Sequence, residues 1–263
     1  MTANSPKGWA GELPLRVGVG VMLIAVALIA LRFGGIAMWA LVGAASMVMT
    51  AEWADLAKAS AEHKRLMMFA IVVPLAILSP LAAGADAFAL GIVGATALFV
   101  LLVTRRSRLA AGILYVAIPA FALILIRGHI EGLVLAFWTL ATVWATDIGA
   151  YFSGRLIGGP KLMPAVSPSK TWAGLIGGMV AALASGLLFN AYGGLDMALA
   201  LASPILAILA QIGDLFESSL KRAAGVKDSG RILPGHGGVM DRLDGVITVA
   251  PAVAVLLVAG VAA

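Results

Sequence analysis

Nine apolar stretches, at 15–32, 36–53, 66–83, 87–103, 109–126, 130–150, 172–192, 197–216 and 243–263, divide this chain of 263 residues. Each approaches the ~20 residues that a helix needs to cross a hydrocarbon core. In lipid a backbone must satisfy its own polar groups, so these stretches are expected to be helices. They lack the two-residue alternation of barrel strands. The expectation is an all-α polytopic integral membrane protein with about nine transmembrane helices. Composition agrees, with 62% hydrophobic and 12% charged residues and a mean hydropathy of +1.04. Soluble domains carry about twice that charge. The first apolar run begins near Leu15, meets Arg32 and shows no small-residue cleavage pattern, so it reads as a retained span rather than a signal peptide.

The basic residues set an orientation. With the N-terminus cytoplasmic, 16 of the 18 Lys and Arg residues fall on the cytoplasmic side, and only Arg32 and Arg127 fall outside. The formal charge of +5 is thereby topological and needs no nucleic-acid partner. The reading is a multi-pass protein of the cytoplasmic (inner) membrane. Cysteine is absent, which excludes disulfides and thiolate metal sites. His63, His129 and His236 lie too far apart in sequence to suggest zinc.

Two connections, 147–171 and 214–244, differ from short loops. The second holds 10 of the chain's 31 charged side chains, five acidic and five basic. A membrane anchor would be mainly basic; balanced charge among glycines suggests a site for a metal and an anion, against the alternative of a solvated loop with surface ion pairs. Asp147, Thr171, Asp214, Asp241 and Asp244 all stand near helix ends expected on one membrane face. Carboxylates in a span cost roughly 2.5–3.5 kcal/mol at mid-membrane, so they tend to have a partner or a task.

Asp214, Glu217, Ser218 and Lys221 share one helical face, although Glu217 and Lys221 also suit a plain helix-stabilising pair. Asp241 and Asp244 are three apart, and either could cap a helix instead. Carboxylates from two helices meeting phosphate oxygens suit magnesium, which takes oxygen ligands and retains water. Around His236, the run Pro234-Gly235-His236-Gly237-Gly238 could bring N–H groups to phosphate, or could be a tight turn. Ser167, Lys170 and Thr171 precede a helix N-terminus, where anions are favoured; a cap plus a topogenic lysine fits equally. No Walker A pattern is present.

The string Ser218-x2-Lys221-Arg222-x4-Lys227-Asp228-x-Gly230-x3-Pro234-Gly235-His236-Gly237-Gly238-x2-Asp241-Arg242-x-Asp244 resembles the signature of phosphatidate cytidylyltransferases (CDP-diacylglycerol synthases). Asp147-x-Gly149-Ala150-Tyr151 and Ser167-Pro168-x-Lys170-Thr171 resemble that family too. One position departs: Ala173 stands where the family often has Glu. The resemblance implies transfer of a cytidylyl group from CTP to phosphatidate with magnesium, a second cation such as potassium, and a homodimer. It implies magnesium on Asp214 and Asp241, with Asp147 and Asp244 in support and Lys227, Asp228 and His236 in the catalytic set. Ser167, Lys170, Thr171, Ser218, Lys221, Arg222, Gly237, Gly238 and Arg242 are the expected substrate contacts. On this reading residues 1–126 serve packing, dimer or lipid access, and 127–263 form the catalytic region. Three rivals were weighed. A CTP-dependent lipid kinase would release CDP. A CDP-alcohol phosphotransferase would need a D-G-x2-A-R pattern absent here. A transporter would carry its charges at mid-membrane.

Overall fold

The computed structural model describes residues 7–233, 235 and 237–261, with side-chain surroundings from residue 18 onward. Each apolar stretch corresponds to one described helix: α1 (Lys7–Phe33), α2 (Gly35–Leu56), α3 (Ala61–Ile77), α4 (Ala87–Thr104), α5 (Ser107–Gly128), α6 (Gly132–Leu156), α7 (Trp172–Gly193), α8 (Met197–Ala224) and α9 (Met240–Val258). Six of these, α2 and α4 to α8, are long and apolar enough to cross a membrane. The described apolar part of α1 is shorter, Gly18–Phe33. At 17 residues α3 begins with Glu62, Lys64 and Arg65, and α9 begins with Asp241, Arg242 and Asp244.

Two features depart from the sequence reading. A short antiparallel hairpin, β1 (Lys161–Met163) and β2 (Ser167–Thr171), pairs Lys161 with Thr171 and Met163 with Ser167. It sits between two apolar stretches, where helix is no longer the only way to pair the backbone. The polar connections are also shorter than 147–171 and 214–244, because α6 continues to Leu156 and α8 to Ala224. Asp147 and Asp214 therefore sit roughly 14–15 Å before their helix ends rather than at them. Nothing stops α6 before Gly158 and Gly159, whose positive φ ends it, and α8 stops at Gly225 in the left-handed region.

A buried apolar core runs through Met49, Trp53, Ile71, Ile113, Leu206 and Val249. Outward faces carry Ile24, Phe69, Leu102, Val180, Ile205 and Val255, an apolar exterior suited to lipid. Four hydroxyls inside these helices are satisfied locally: Thr50, Thr104, Thr139 and Thr146 each donate to the carbonyl four residues earlier. Pro74, Pro119, Pro204 and Pro251 all lie inside helices. Arg127, one of the two outlying basic residues, latches α1: its Nε donates to the Leu31 carbonyl at 2.7 Å, and its guanidinium fills the space beside Gly34.

The closest helix pair, α6 and α7, is built from small residues. A Cβ on Gly149 would meet the Gly177 carbonyl oxygen at 2.6 Å, and one on Gly177 would run into Ser153 Oγ. Replacing Gly177 by Ala should destabilise the fold by about 1–3 kcal/mol through overpacking. Adding Ser153→Gly should restore part of the loss. Thermal melts in detergent would check both, and an unchanged single variant would contradict this packing.

Candidate active site

Alternating helices bring the ends of α2, α6 and α8 and the starts of α7 and α9 to one face of the bundle. Cross-contacts fix that grouping: Glu52 near the end of α2 accepts from Val239 N and Met240 N at the start of α9, and Lys170 before α7 pairs with Asp214 on α8. Two polar clusters form there.

The first joins three helices. Asp147 of α6, Asp214 of α8 and Asp244 of α9 lie within electrostatic reach of one another. Glycines make the approach possible. A Cβ on Gly213 would strike the Asp244 carbonyl, and one on Gly245 would meet Val143 Cγ1 at 2.7 Å. Lys170 is the ammonium paired to this group, through Asp214, whose Oδ1 also accepts from Ser218 Oγ at 3.3 Å. Asp244 Oδ1 accepts the N–H of Gly245 at 2.8 Å. Three carboxylates against the Lys170 ammonium and the Arg242 guanidinium, which lies within reach of Asp147, leave an excess of negative charge that a hard divalent cation would offset. Among the described residues no three acidic or histidine side chains form ready ligand geometry, so water and phosphate oxygens would have to complete such a shell.

The second cluster centres on Asp241. Its Oδ1 takes the Lys221 ammonium at 2.6 Å, and Lys221 also reaches Glu217 Oε1 at 3.1 Å. Its Oδ2 accepts from Ser229 N at 2.8 Å, Ser229 Oγ at 3.0 Å and Gly238 N at 2.8 Å. Asp241 thus takes four donors, against two for Asp214 and one for Asp244. The positive φ of Gly237 and the Leu233–Gly237 bridge fold this segment into a tight turn over Asp241. A Cβ on Gly237 would come within 2.8 Å of Asp241 Oδ2. His236 and Pro234 lie outside the described residues.

The other expected residues are peripheral. Arg222, Lys227, Asp228 and Arg242 are exposed, and among the described residues they form no ion pair. Ser167 sits half-buried on β2. Thr171 is buried and caps α7, its Oγ1 accepting the N–H of Gly174 at 3.0 Å. Ala173 falls in the first turn of α7. Thr171→Ala should cost about 0.5–2 kcal/mol while Thr171→Ser is tolerated; equal melting of the two variants would argue against the cap.

Sequence reasoning gave no site role to three participants. Ser229 occupied an unspecified position of the motif, and Glu217, placed on one face with Asp214 and Lys221 or read as a plain helix pair, is wholly buried beside Lys221. Glu52 lies on α2, in the half assigned to packing, and is 5% exposed. Its carboxylate accepts from Val239 N, Met240 N and Ser229 Oγ at 2.8, 2.8 and 3.1 Å. A lone acid within an apolar stretch, Ala51-Glu52-Trp53, was the available signal.

Beside the clusters, Trp53, Leu114, Tyr115, Phe216, Ile247, Thr248 and Pro251 line an apolar recess of about 380 Å3. Trp53 and Phe216 each pack tilted against Tyr115, with ring centroids at 4.8 and 5.6 Å. The Tyr115 hydroxyl is buried without a hydrogen-bond partner and lies within electrostatic reach of Glu217 and Asp244. The recess therefore abuts the charged centre.

The sequence model described as the cytidylyltransferase family matches residues 14–259. A phosphatidate cytidylyltransferase of Brucella suis is 42% identical over 250 residues, covering 91% of each chain. One of Brucella melitensis is 41% identical over the same coverage. One of Staphylococcus saprophyticus is 46% identical over 131 residues, 49% of this chain and 50% of that protein.

Proposed function

Since the chain belongs to the cytidylyltransferase family, we propose that it transfers the cytidylyl group of CTP to phosphatidate, forming CDP-diacylglycerol and pyrophosphate for phospholipid synthesis. Likeness to phosphatidate cytidylyltransferases over 91% of the chain carries this reading. The charged centre beside an apolar recess supports it. We further propose nine spans, a cytoplasmic N-terminus and an active site facing the cytoplasm of the inner membrane, which the distribution of Lys and Arg supports. There CTP would arrive from water and phosphatidate from the bilayer, its acyl chains along Trp53, Leu114 and Phe216. A homodimer is an expectation carried from the family resemblance.

The chemistry needs no side-chain nucleophile. A phosphate oxygen of phosphatidate attacks the α-phosphorus of CTP, and pyrophosphate departs. Positioning and charge neutralisation supply most of the catalysis in such transfers. Magnesium would be held by Asp214 with Asp147 and Asp244 in support; Asp241, the other expected ligand, would have to exchange Lys221 for it. The ion would neutralise developing charge on the phosphates. Lys170 and Lys221, 14% and 13% exposed, are held by carboxylates that would fix where each ammonium meets phosphate. Arg222, Lys227 and Arg242 are open to receive the triphosphate and the lipid headgroup, with Ser167 and Ser218 as hydroxyl contacts. Asp228 and His236, next to Lys227 and Gly237 in the motif, enter the catalytic set through the resemblance alone. Potassium as a second cation follows only from the resemblance.

The test is direct. Purified protein incubated with CTP, phosphatidate and magnesium should yield CDP-diacylglycerol and pyrophosphate. Release of CDP instead would favour a lipid kinase, and no nucleotide product from a folded preparation would end the assignment.

A further inference from the structure

The segment joining α8 to α9 has little core of its own. Val226, Lys227, Asp228, Arg231 and Ile232 are all exposed, while Ser229 and Gly238 are buried. A carboxylate from the opposite half of the chain ties it down. Glu52 Oε1 accepts the N–H of Val239, and Oε2 accepts the N–H of Met240 and the hydroxyl of Ser229. The first two are free N–H groups at the start of α9, where a negative charge is favoured by the helix dipole. Gly230 and Gly238 are shaped to it, since a Cβ on either would come within 2.6 Å of Oε1.

Ser229 is the link to chemistry. Its hydroxyl oxygen stands between two carboxylates, 3.1 Å from Glu52 Oε2 and 3.0 Å from Asp241 Oδ2, so that its one proton is shared between them, while its backbone N–H also serves Asp241. The chain of contacts therefore runs from Glu52 through Ser229 to Asp241, then to Lys221 and Glu217. We propose that Glu52 is a positioning residue for the reaction: it clamps Ser229 and the start of α9 so that Asp241 holds the Lys221 ammonium at the phosphate site. The activity readout rests on the proposed cytidylyl transfer. The clamp itself does not.

Glu52→Gln keeps the size and one acceptor but turns an NH2 toward groups that donate. Glu52→Asp keeps both acceptors on a shorter stem. Gly230→Ala leaves Glu52 in place and presses a methyl group against its carboxylate. All three would be compared with wild type for kcat and KM, for melting temperature, and for amide hydrogen exchange across 226–241. We expect Glu52→Gln to lower kcat roughly 10²-fold, the scale of an ångström misplacement, with a near-native melting temperature and faster exchange confined to 226–241. Glu52→Asp should recover part of kcat. Gly230→Ala should act in the same direction, and combining it with Glu52→Gln should add little.

Wild-type kcat in Glu52→Gln, or unchanged exchange at 226–241, would overturn the proposal. So would loss of activity only in step with global melting across all three variants. If Glu52→Gln does not fold, Gly230→Ala decides by the same readouts. If wild type makes no CDP-diacylglycerol, the functional reading fails while the exchange comparison still judges the clamp.

Discussion

Asp241→Asn will abolish CDP-diacylglycerol formation and leave the protein inserted and folded. The aspartate has no oxygen to spare: Lys221 holds Oδ1 at 2.6 Å, and Ser229 and Gly238 bring three donors to Oδ2. An asparagine must aim its NH2 either at an ammonium or at N–H groups, and both choices set donor against donor. Displacing one charge-stabilising donor such as the Lys221 ammonium from the reacting phosphates costs roughly 10²–10³-fold in rate. The fold should survive because α9 remains packed through Val246, Val249, Ala250 and Val253. Product analysis with a melting curve checks both halves. Retention of more than about a tenth of the activity in a folded variant would contradict so large a cost.

Asp214→Asn has the second largest expected effect, and a different signature. Asp214 partners Lys170 and lies within reach of both Asp147 and Asp244. Its loss removes one of three negative charges from the proposed metal site and frees Lys170. Activity should fall roughly 10²-fold, as for other broken charge pairs, and half-maximal activity should require more magnesium. Asp241 is tied by four protein donors, two of them backbone N–H groups, so raising magnesium should not restore Asp241→Asn. An Asp214→Asn variant with wild-type magnesium dependence would remove Asp214 from the metal set. If magnesium rescued Asp241→Asn instead, the two aspartates would have exchanged roles, and Asp241 would be the one that gives up its ammonium to the ion.

The helices were legible because lipid leaves the backbone few choices. Every apolar stretch corresponds to a described helix, and the signature residues on α8 and α9 stood out as charge in an apolar chain. The helix ends were less legible. The sequence reading ended its sixth and eighth helices near Asp147 and Asp214, where polarity begins, but the residues that follow are compatible with helix. It is Gly158, Gly159 and Gly225, with positive φ, that end them. The apolar-to-polar boundary reports surroundings; the glycine reports geometry.

The site divided in the same way. Motif spacing identified Asp214, Lys221, Asp241 and Asp244 because their order along the chain carries the resemblance. It did not separate Asp147, Asp214 and Asp244, which carry few donors, from Asp241, which takes four. That distinction depends on which donors arrive from other elements: Lys170 from the hairpin, and Ser229 and Gly238 from the turn before α9.

By itself, then, the sequence determined a membrane bundle, the polar segments at its chemistry-bearing end and the family, since apolar length and residue order are properties of the chain. Only the tertiary structure decided how the charged segment is held and how its aspartates divide. A hydrogen bond needs its partner within about 3 Å, and Glu52 is 177 residues from Ser229. Only the packing of α2 against the start of α9 makes them neighbours.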